Sequence, residues 1–381
     1  MKVILATGIY PPEIGGPATY VRALAAELVR KNINMTVITY GTMEQSNNGA
    51  IEQWPVVRVS KSVPFLRWIS YARTLRNHGK DADAVITFSS ISAGVPLWLA
   101  HLKKPKKILR LGGDFFWERY TDRGGMKGLR AWYESKTTAQ QAANWIMNAL
   151  LRKFDHIVFS TEFQKKIYDE NYWGLSLVSV IENAVSFPSM GAIHRRRSSQ
   201  LKLLFMGRFV GFKNLEALVE AVGALRQGSG QAPHAMPLHS QCMLTFVGDG
   251  PMKARLQSLV QKLNLESAIH FLAPVHGQEK TNLFEKYDLM IIPSLTEISP
   301  NVALEADDAG LPVLLTEQTG LSPELSANMV LKDLSTSQKI VDAIEEMAEH
   351  YDQIAHRVSS HSHGRSTGQM ASDWIRLLSR L

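Results

Sequence analysis

The sequence lacks most of the features that mark secreted, membrane-spanning or metal-binding proteins. Its 381 residues contain one cysteine, Cys242, which excludes an internal disulfide and fits a reducing compartment. No apolar run approaches the length of a membrane span, and Met1–Tyr10 is too short and wrongly flanked for a signal peptide. The histidine pairs His234/His239 and His361/His363 have no cysteine or carboxylate at metal-ligand spacing. We expect a cytoplasmic protein that needs no metal and no cofactor.

Two further classes are disfavoured by missing motifs. A nicotinamide dehydrogenase needs a Gly-x-Gly-x-x-Gly turn after its first strand and an acidic residue at the end of its second, and Ile38–Thr42 offers none. The formal net charge of +7 suggests a nucleic-acid binder, but the basic residues form no motif with interleaved aromatics. We therefore expect no nucleic-acid partner.

The positive charge is concentrated in the first half of the chain. Residues 1–180 contain 24 lysines and arginines against 14 aspartates and glutamates, a net charge of +10, and the remainder carries −3. Basic clusters lie at residues 65–80 and 103–107, and both are candidates for contact with an anionic membrane surface. In the first cluster, apolar residues recur at helical spacing, namely Phe65, Trp68, Ile69, Ala72 and Leu75. This segment is either an amphipathic helix on an anionic membrane or a core-facing helix with a solvated basic face.

Short apolar runs alternate with helical periods along the chain, without repeats. The predicted strands are Val3–Ala6, Met35–Thr39, Val56–Val59, Ala84–Phe88, Lys107–Leu111, Ile157–Ser160, Leu203–Met206, Met243–Val247, Ala268–Phe271, Leu289–Ile292 and Val313–Leu315. Such alternation predicts an α/β fold with parallel sheets covered by helices. The periodicity breaks at Asn183–Ser199, where we place a domain linker, and at a polar insert, Gln227–Gln241.

Two glutamates, Glu297 and Glu305, flank a predicted strand-to-helix turn. The apolar run Leu289–Ile292 precedes them, Pro300 can open a helix, and a Gly-Leu-Pro sequence can close it. Glu297 therefore lies on the loop and Glu305 on the helix. Free N–H groups and the positive end of the helix dipole hold phosphate at such a place. A sugar nucleotide needs this combination of groups.

An earlier strand-turn-helix unit carries two cations, Arg208 and Lys213, around the turn that begins at Gly207. One forked and one compact cation beside a helix N-terminus neutralise a diphosphate. Together, Gly-Arg-(four)-Lys-Asn and Glu-(seven)-Glu, followed by Gly-Leu-Pro-Val, resemble the donor site of glycosyltransferase family 4. Each motif is weak alone, and the ordered pair is specific.

The resemblance covers nearly the whole chain. The opening strand, the loop with Gly15 and Gly16, and the following helix look like the start of that family. It implies a GT-B fold, in which two Rossmann-like domains face each other across a cleft. Residues 1–184 would form the acceptor-binding domain, joined by a C-terminal helix at 365–381, and residues 185–364 the donor-binding domain.

The resemblance also implies roles for individual residues. Arg208 and Lys213 would bind the diphosphate and stabilise the charge that grows on the leaving nucleotide, which explains why no metal is needed. Glu297 would hydrogen-bond the donor sugar, and Glu305 the ribose hydroxyls. The remaining donor-binding candidates are Gly15, Gly16, Gly248, Pro274, Val275, Asn301 and Val302.

The activity implied is a retaining transfer of a hexose from a UDP-, GDP- or ADP-sugar to a hydroxyl of a saccharide or lipid-linked acceptor. Cell-surface glycan or glycolipid synthesis at the inner face of the membrane fits this chemistry. A carboxylate nucleophile is one route to retention. The family favours front-face attack, in which the departing phosphate takes the acceptor proton. A sugar-nucleotide epimerase or hydrolase and a non-enzymatic nucleic-acid-binding protein are the alternatives.

One departure from the family concerns catalysis. Many members carry a histidine in a loop of the first domain, where this sequence has Gly112, Gly113 and Asp114. Asp114 is a candidate to replace it near the donor sugar or the acceptor hydroxyl. The other interpretation is an aspartate that caps the next helix.

Overall fold

The computed structural model describes residues 1–13, 15–42, 52–61, 63–184, 200–228, 242–359 and 365–380. Most of the predicted linker and most of the predicted polar insert lie outside the described residues. The chain divides into two compact units. The first comprises Met1–Phe116, Tyr133–Ser186 and Arg365–Leu381, and the second comprises Trp117–Trp132 and Phe187–Gly364.

The first unit contains a seven-stranded parallel sheet in the order β3-β2-β1-β4-β5-β6-β7. The strands are β1 Lys2–Ala6, β2 Asn34–Tyr40, β3 Val56–Val59, β4 Ala84–Thr87, β5 Lys106–Leu111, β6 His156–Phe159 and β7 Leu177–Val180. The central strands are apolar on both faces because helices cover both sides of a parallel sheet. Every residue of β4 and β6 is accordingly buried.

The second unit contains a six-stranded parallel sheet in the order β10-β9-β8-β11-β12-β13. Its strands are β8 Leu201–Met206, β9 Cys242–Val247, β10 Ile269–Leu272, β11 Leu289–Ile292, β12 Val313–Thr316 and β13 Val330–Lys332. Phe205, Phe209 and Phe246 form part of its buried core. Two parallel sheets confirm the predicted α/β class.

The helices follow the chain as predicted for strand-helix alternation. They are α1 Gly16–Arg30, α2 Pro64–Gly79, α3 Val95–Ala100, α4 Phe115–Asp122, α5 Leu129–Glu134, α6 Thr138–Leu151, α7 Glu162–Asn171, α8 Leu215–Gln227, α9 Lys253–Lys262, α10 Gly277–Lys286, α11 Asn301–Asp308, α12 Ser337–Glu349, α13 Tyr351–Ser359 and α14 Thr367–Leu378. Within the described residues, no helix combines the length and apolarity needed to cross a bilayer.

The C-terminal helix α14 packs against α1. Its Trp374 is fully buried and donates Nε1–H to the Tyr20 hydroxyl at 2.7 Å. A reciprocal cap between Ser366 and Gln369 satisfies backbone groups at the start of the helix. The last residues of the chain thereby complete the core of the first unit.

All the predicted strands are present, with small shifts at their ends, but β7 and β13 were not predicted. Both are edge strands, and Leu177 of β7 and Leu331 of β13 are exposed. An edge strand does not need the continuous apolar run that marks a buried one. The sequence therefore carries a weaker signal for these two strands.

The predicted amphipathic helix is α2, and only part of its apolar face is buried. Tyr71, Ala72 and Leu75 are buried, and the Tyr71 hydroxyl donates to the carbonyl oxygen of Ile38 at 2.6 Å. Phe65, which belongs to the same apolar face by helical spacing, is 64% exposed. The first turn of the helix thus projects beyond the elements that cover the remainder.

Candidate active site

The carboxyl ends of β8 and β9 lie side by side in the second unit. Gly207 donates its N–H to the carbonyl oxygen of Val247 at 3.0 Å. A Cβ on Gly248 would come within 2.0 Å of the Gly207 carbonyl oxygen, and φ of Gly248 is +149°. Only glycine fits there. The backbones of Gly207 and Gly248 therefore lie in close contact at this edge of the sheet. Arg208, which follows Gly207 directly in the chain, is exposed.

Lys213 is held by a tight turn between β8 and α8. Gly211–Lys213 form one turn of 3-10 helix, and Asn214 follows in the left-handed conformation with φ of 55°. The Asn214 amide donates to the carbonyl oxygen of Leu334 at 2.9 Å, which fixes the turn before α8 begins. Lys213 Nζ forms an ion pair with Glu297 Oε1.

Glu297 lies on the loop between β11 and α11. Its backbone N–H donates to Gln318 at 2.9 Å, and its carbonyl oxygen accepts from Gly320 at 2.7 Å. Ser294 Oγ donates to Glu297 Oε1 at 2.6 Å, on the same oxygen that pairs with Lys213. The Lys213 and Glu297 side chains are 13% and 7% exposed. Water therefore screens this pair weakly, and both of these contacts fall on Oε1.

Glu305 lies on the second turn of α11, and Lys280 on α10 forms an ion pair with its Oε2. Their side chains are 15% and 17% exposed. Sequence reasoning missed Lys280. Nothing in its local pattern distinguishes it from a surface lysine, since its partner is 25 residues away. Each of the two predicted glutamates is thus paired with a lysine, and both pairs lie in the second unit.

The other predicted donor-binding residues fall in both units. Pro274 and Val275 are half-buried in the loop between β10 and α10, and Asn301 and Val302 form the first turn of α11. Gly15 and Gly16 lie in the first unit at the start of α1. A Cβ on Gly15 would come within 2.6 Å of the Ile9 side chain, whereas one on Gly16 would meet nothing within 4 Å.

Asp114 is buried in the first unit, with 2% exposure. Its Oδ2 accepts from the Tyr133 hydroxyl at 2.6 Å and from the Tyr168 hydroxyl at 2.9 Å. Burial raises the pKa of both tyrosines well above the ordinary value, and the Asp114 charge adds to that rise. The hydroxyls therefore stay protonated and donate. This carboxylate oxygen is engaged by the protein, and a role at the reacting atoms stays a prediction.

A second carboxylate of α11, Asp307, is also buried. Burial raises its pKa from 3.8 to about 6, while a hydrogen bond from Asn328 opposes the rise. The amide of Asn328 donates to Asp307 Oδ2 at 3.4 Å, and Oδ1 makes no hydrogen bond among the described residues. The carboxyl with this raised pKa lies on the helix that carries Glu305.

The part of the chain that the structure describes contains no group of three His, Cys, Asp or Glu side chains placed to hold a metal ion. The histidine pairs weighed in the sequence lie outside the described residues. Arg208, Lys213 and Lys280 are the cations of the candidate site in the second unit.

Two parallel-sheet units of this kind are the architecture of the GT-B fold, and comparisons with known proteins identify the family. A model described as "Glycosyl transferase 4-like domain" matches residues 15–184, and one described as "Glycosyl transferases group 1" matches residues 188–362. The chain belongs to the group 1 glycosyltransferases. The predicted family and the predicted GT-B fold are both confirmed.

Relatives and solved structures agree with this assignment. A glycosyltransferase of Methanocaldococcus jannaschii is 27% identical over 342 residues, which cover 84% of this chain and 82% of the relative. A D-inositol 3-phosphate glycosyltransferase of Pseudarthrobacter chlorophenolicus is 32% identical over 180 residues, 46% of this chain and 40% of the relative.

Two solved structures show the same fold. Sucrose-phosphate synthase of Thermosynechococcus elongatus has a TM-score of 0.76 at 16% identity, and the match covers 100% of this chain and 98% of that one. HepE of Anabaena in complex with UDP-glucose has a TM-score of 0.69 at 15% identity and is matched over 100% of both chains. At such identities the similarity concerns the fold alone.

Proposed function

We propose that this protein is a retaining hexosyltransferase that moves a sugar from a nucleotide-sugar donor to a hydroxyl acceptor. The observation that carries the proposal is the buried Lys213–Glu297 pair, which places an ammonium and a carboxylate together at the end of a parallel sheet. Ligands of open α/β sheets bind at the carboxyl ends of the strands. The Lys280–Glu305 pair adds a second carboxylate to the site, and that carboxylate lies on α11.

In the proposed reaction, Arg208 and Lys213 stabilise the leaving nucleoside diphosphate. Negative charge grows on the β-phosphate as the glycosidic bond breaks, and fixed cations stabilise that charge more than the charge of the bound donor. Glu297 orients the sugar through Oε2. Glu305 accepts hydrogen bonds from ribose hydroxyls, and the backbone N–H groups at the start of α11 face the phosphates.

The contacts of Glu297 support front-face attack rather than a covalent intermediate. An ammonium and a hydroxyl both bind Glu297 Oε1, and such donors stabilise the carboxylate and lower its nucleophilicity. The departing phosphate then removes the acceptor proton. Trapping with a slow fluorinated donor tests this: a glycosyl adduct on Glu297 in mass spectrometry would refute front-face attack.

The proposal includes independence from divalent metal, because two protein cations neutralise the diphosphate. Activity should therefore survive EDTA. Loss of activity that manganese restores would contradict this part of the proposal.

The donor is proposed to be a UDP-, GDP- or ADP-sugar. The titles of the HepE structures name UDP and UDP-glucose, which makes a UDP-sugar the first to test. A thermal-shift screen of all three classes gives the answer, because a ligand raises the melting temperature with the logarithm of its concentration over Kd. Glu305→Ala is the matched control, since a shift of undiminished size in this variant does not come from the proposed ribose site.

The acceptor is proposed to be lipid-linked, at the inner face of a membrane in cell-surface glycan or glycolipid synthesis. Val63, Phe65 and Leu66, at the start of α2, are 63%, 64% and 56% exposed. Arg67 and the exposed Arg73 follow on the same helix. An apolar tip beside cations suits an anionic bilayer, and each cation near the surface contributes about 1 kcal/mol.

The lysines of 103–107 lie at the opposite end of α2. Lys104 Nζ donates to the carbonyl oxygen of Asp81 at 3.4 Å, just beyond the last residue of α2. A helix of 16 residues is about 24 Å long, so the tip and these lysines form two separate surfaces. The tip is the surface that we propose to insert.

Vesicle sedimentation at low salt tests the attachment. The parent should bind anionic vesicles and release them with salt, and Phe65→Ser with Leu66→Ser should not bind. Leu177→Ser removes an equally exposed leucine from β7 as a control. Equal binding to neutral and anionic vesicles, or none, would favour a soluble acceptor.

A further inference from the structure

The second unit contains a segment to which the proposed function assigns no role. The chain leaves the first unit after Phe116 and returns to it at Tyr133, and Trp117–Trp132 packs within the second unit. We call this the inserted segment. Trp117 Nε1–H donates to the carbonyl oxygen of Lys127 at 2.9 Å, which closes the segment on itself. The inserted segment therefore has a defined conformation with which to contact its neighbours.

One contact is with the turn that carries Lys213. The ring of Trp117, which is 1% exposed, lies 5.3 Å from the ring of Phe212 between centroids. A Cβ on Gly211 would come within 2.3 Å of the Thr121 carbonyl oxygen. The backbone of the turn thus touches the backbone of the inserted segment, and any larger residue than Gly211 would separate them.

The other contact is with the loop that carries Glu297. Leu129 donates its N–H to Thr296 Oγ1 at 2.9 Å, and Thr296 is 1% exposed. A Cβ on Gly128 would come within 3.0 Å of the Leu295 carbonyl oxygen. The inserted segment therefore contacts the residues that immediately precede Glu297.

The turn and the loop are also bonded to each other. Leu295 donates its N–H to the Phe212 carbonyl oxygen at 2.8 Å, and Lys213 pairs with Glu297. We propose that the inserted segment is a positioning element that sets the placement of Lys213 against Glu297. The segment acts through Phe212 and Thr296, and the effect of this positioning on catalysis rests on the proposed function. Preorganised groups at a reacting centre need such support from the residues behind them.

Hydrogen exchange tests the positioning without any substrate. Trp117→Leu removes the ring from Phe212, and Thr296→Val removes the hydroxyl that accepts from Leu129 at nearly constant volume. We expect amides of residues 210–213 and 295–297 to exchange about tenfold faster in both variants. The controls are Trp145→Leu, at a 66% exposed tryptophan of α6, and Thr74→Val, which removes a hydroxyl of α2. Unchanged exchange in these loops, or an equal rise throughout the second sheet, overturns the proposal.

Turnover of UDP-glucose as the probe donor tests the catalytic meaning. We expect Trp117→Leu to lower kcat about tenfold in the parent and less than about twofold in a Lys213→Met background, because residues that act through one another are not additive. Equal factors in the two backgrounds overturn a role through Lys213. Faster loop exchange in a protein that turns over no nucleotide sugar supports the positioning and overturns the proposed function instead.

Discussion

Variants of the Lys213–Glu297 pair allow two effects to be separated: the loss of stability when one charge is left unpaired, and the loss of turnover when either group is missing. We consider Lys213→Met, Glu297→Gln and the double variant. Removing one member of a buried pair leaves the other charge without compensation, which costs about 3–5 kcal/mol when burial is complete. The side chains retain 13% and 7% exposure, so we expect the lower end, about 3 kcal/mol, for each single variant.

The double variant should recover most of that loss. Methionine and glutamine leave no charge in the site, and the glutamine oxygen can still accept from Ser294. We expect the double variant to be about 2 kcal/mol more stable than either single variant. Turnover should fall about 10²-fold or more in all three, because neither group can be replaced in the reaction.

Peptides of the second unit, followed by hydrogen exchange in urea, give the free energy of unfolding of that unit alone. This choice matters because a protein of two units does not unfold in a single two-state step. Lys339→Met is the control, since its pair with Asp333 is 49% and 43% exposed and should contribute below about 1 kcal/mol. Destabilisation in the double variant equal to the sum of the two singles would refute the reasoning.

Three further predictions concern the same unit. Arg208→Ala should lower kcat about 10²-fold with no change in melting temperature, because its side chain is exposed; unchanged kcat would remove it from the diphosphate. Glu305→Ala should weaken UDP binding by about 1–3 kcal/mol and Lys280→Met by less, as calorimetry would measure; equal affinity in Glu305→Ala and the parent would exclude the ribose role. The raised pKa of Asp307 means that the fold favours its protonated form, so the contribution of Asp307 to stability should be greatest below pH 4, fall as pH rises to about 6, and then level off. Asp307→Asn should abolish that fall of about 3 kcal/mol in pH-dependent unfolding, and an unaltered pH profile would contradict the assignment.

The core of the fold was predictable from the sequence because buried parallel strands need uninterrupted apolar runs. β11 is an example: Leu289–Ile292 was predicted with the bounds that the structure has. Of the four edge strands, β3 and β10 were predicted and β7 and β13 were not; β7 and β13 are partly exposed and need no such run. The position of Glu297 on a loop and of Glu305 on a helix also followed from Pro300, which directly precedes α11.

The partners of the site residues could not be predicted. Lys280 and Glu305 are separated by 25 residues, and Leu129 and Thr296 by 167. Contacts over such separations are decided by how the helices pack on the sheet, and a single sequence carries no local pattern for them. The same holds for Asp114, which looked like a loop carboxylate but is enclosed by tyrosines.

The inserted segment has a consequence for recombinants between this protein and its relatives. A recombinant that joins the part of this chain after residue 185 to the preceding part of a relative would carry the relative's residues in place of residues 117–132. Phe212 would then contact the relative's side chain instead of Trp117. Gly211 would lie against the relative's backbone instead of that of Thr121. Transplants that carry residues 117–132 together with 200–359 keep these contacts intact. The second unit is therefore discontinuous in the gene, and a recombination that cuts only at the linker divides it.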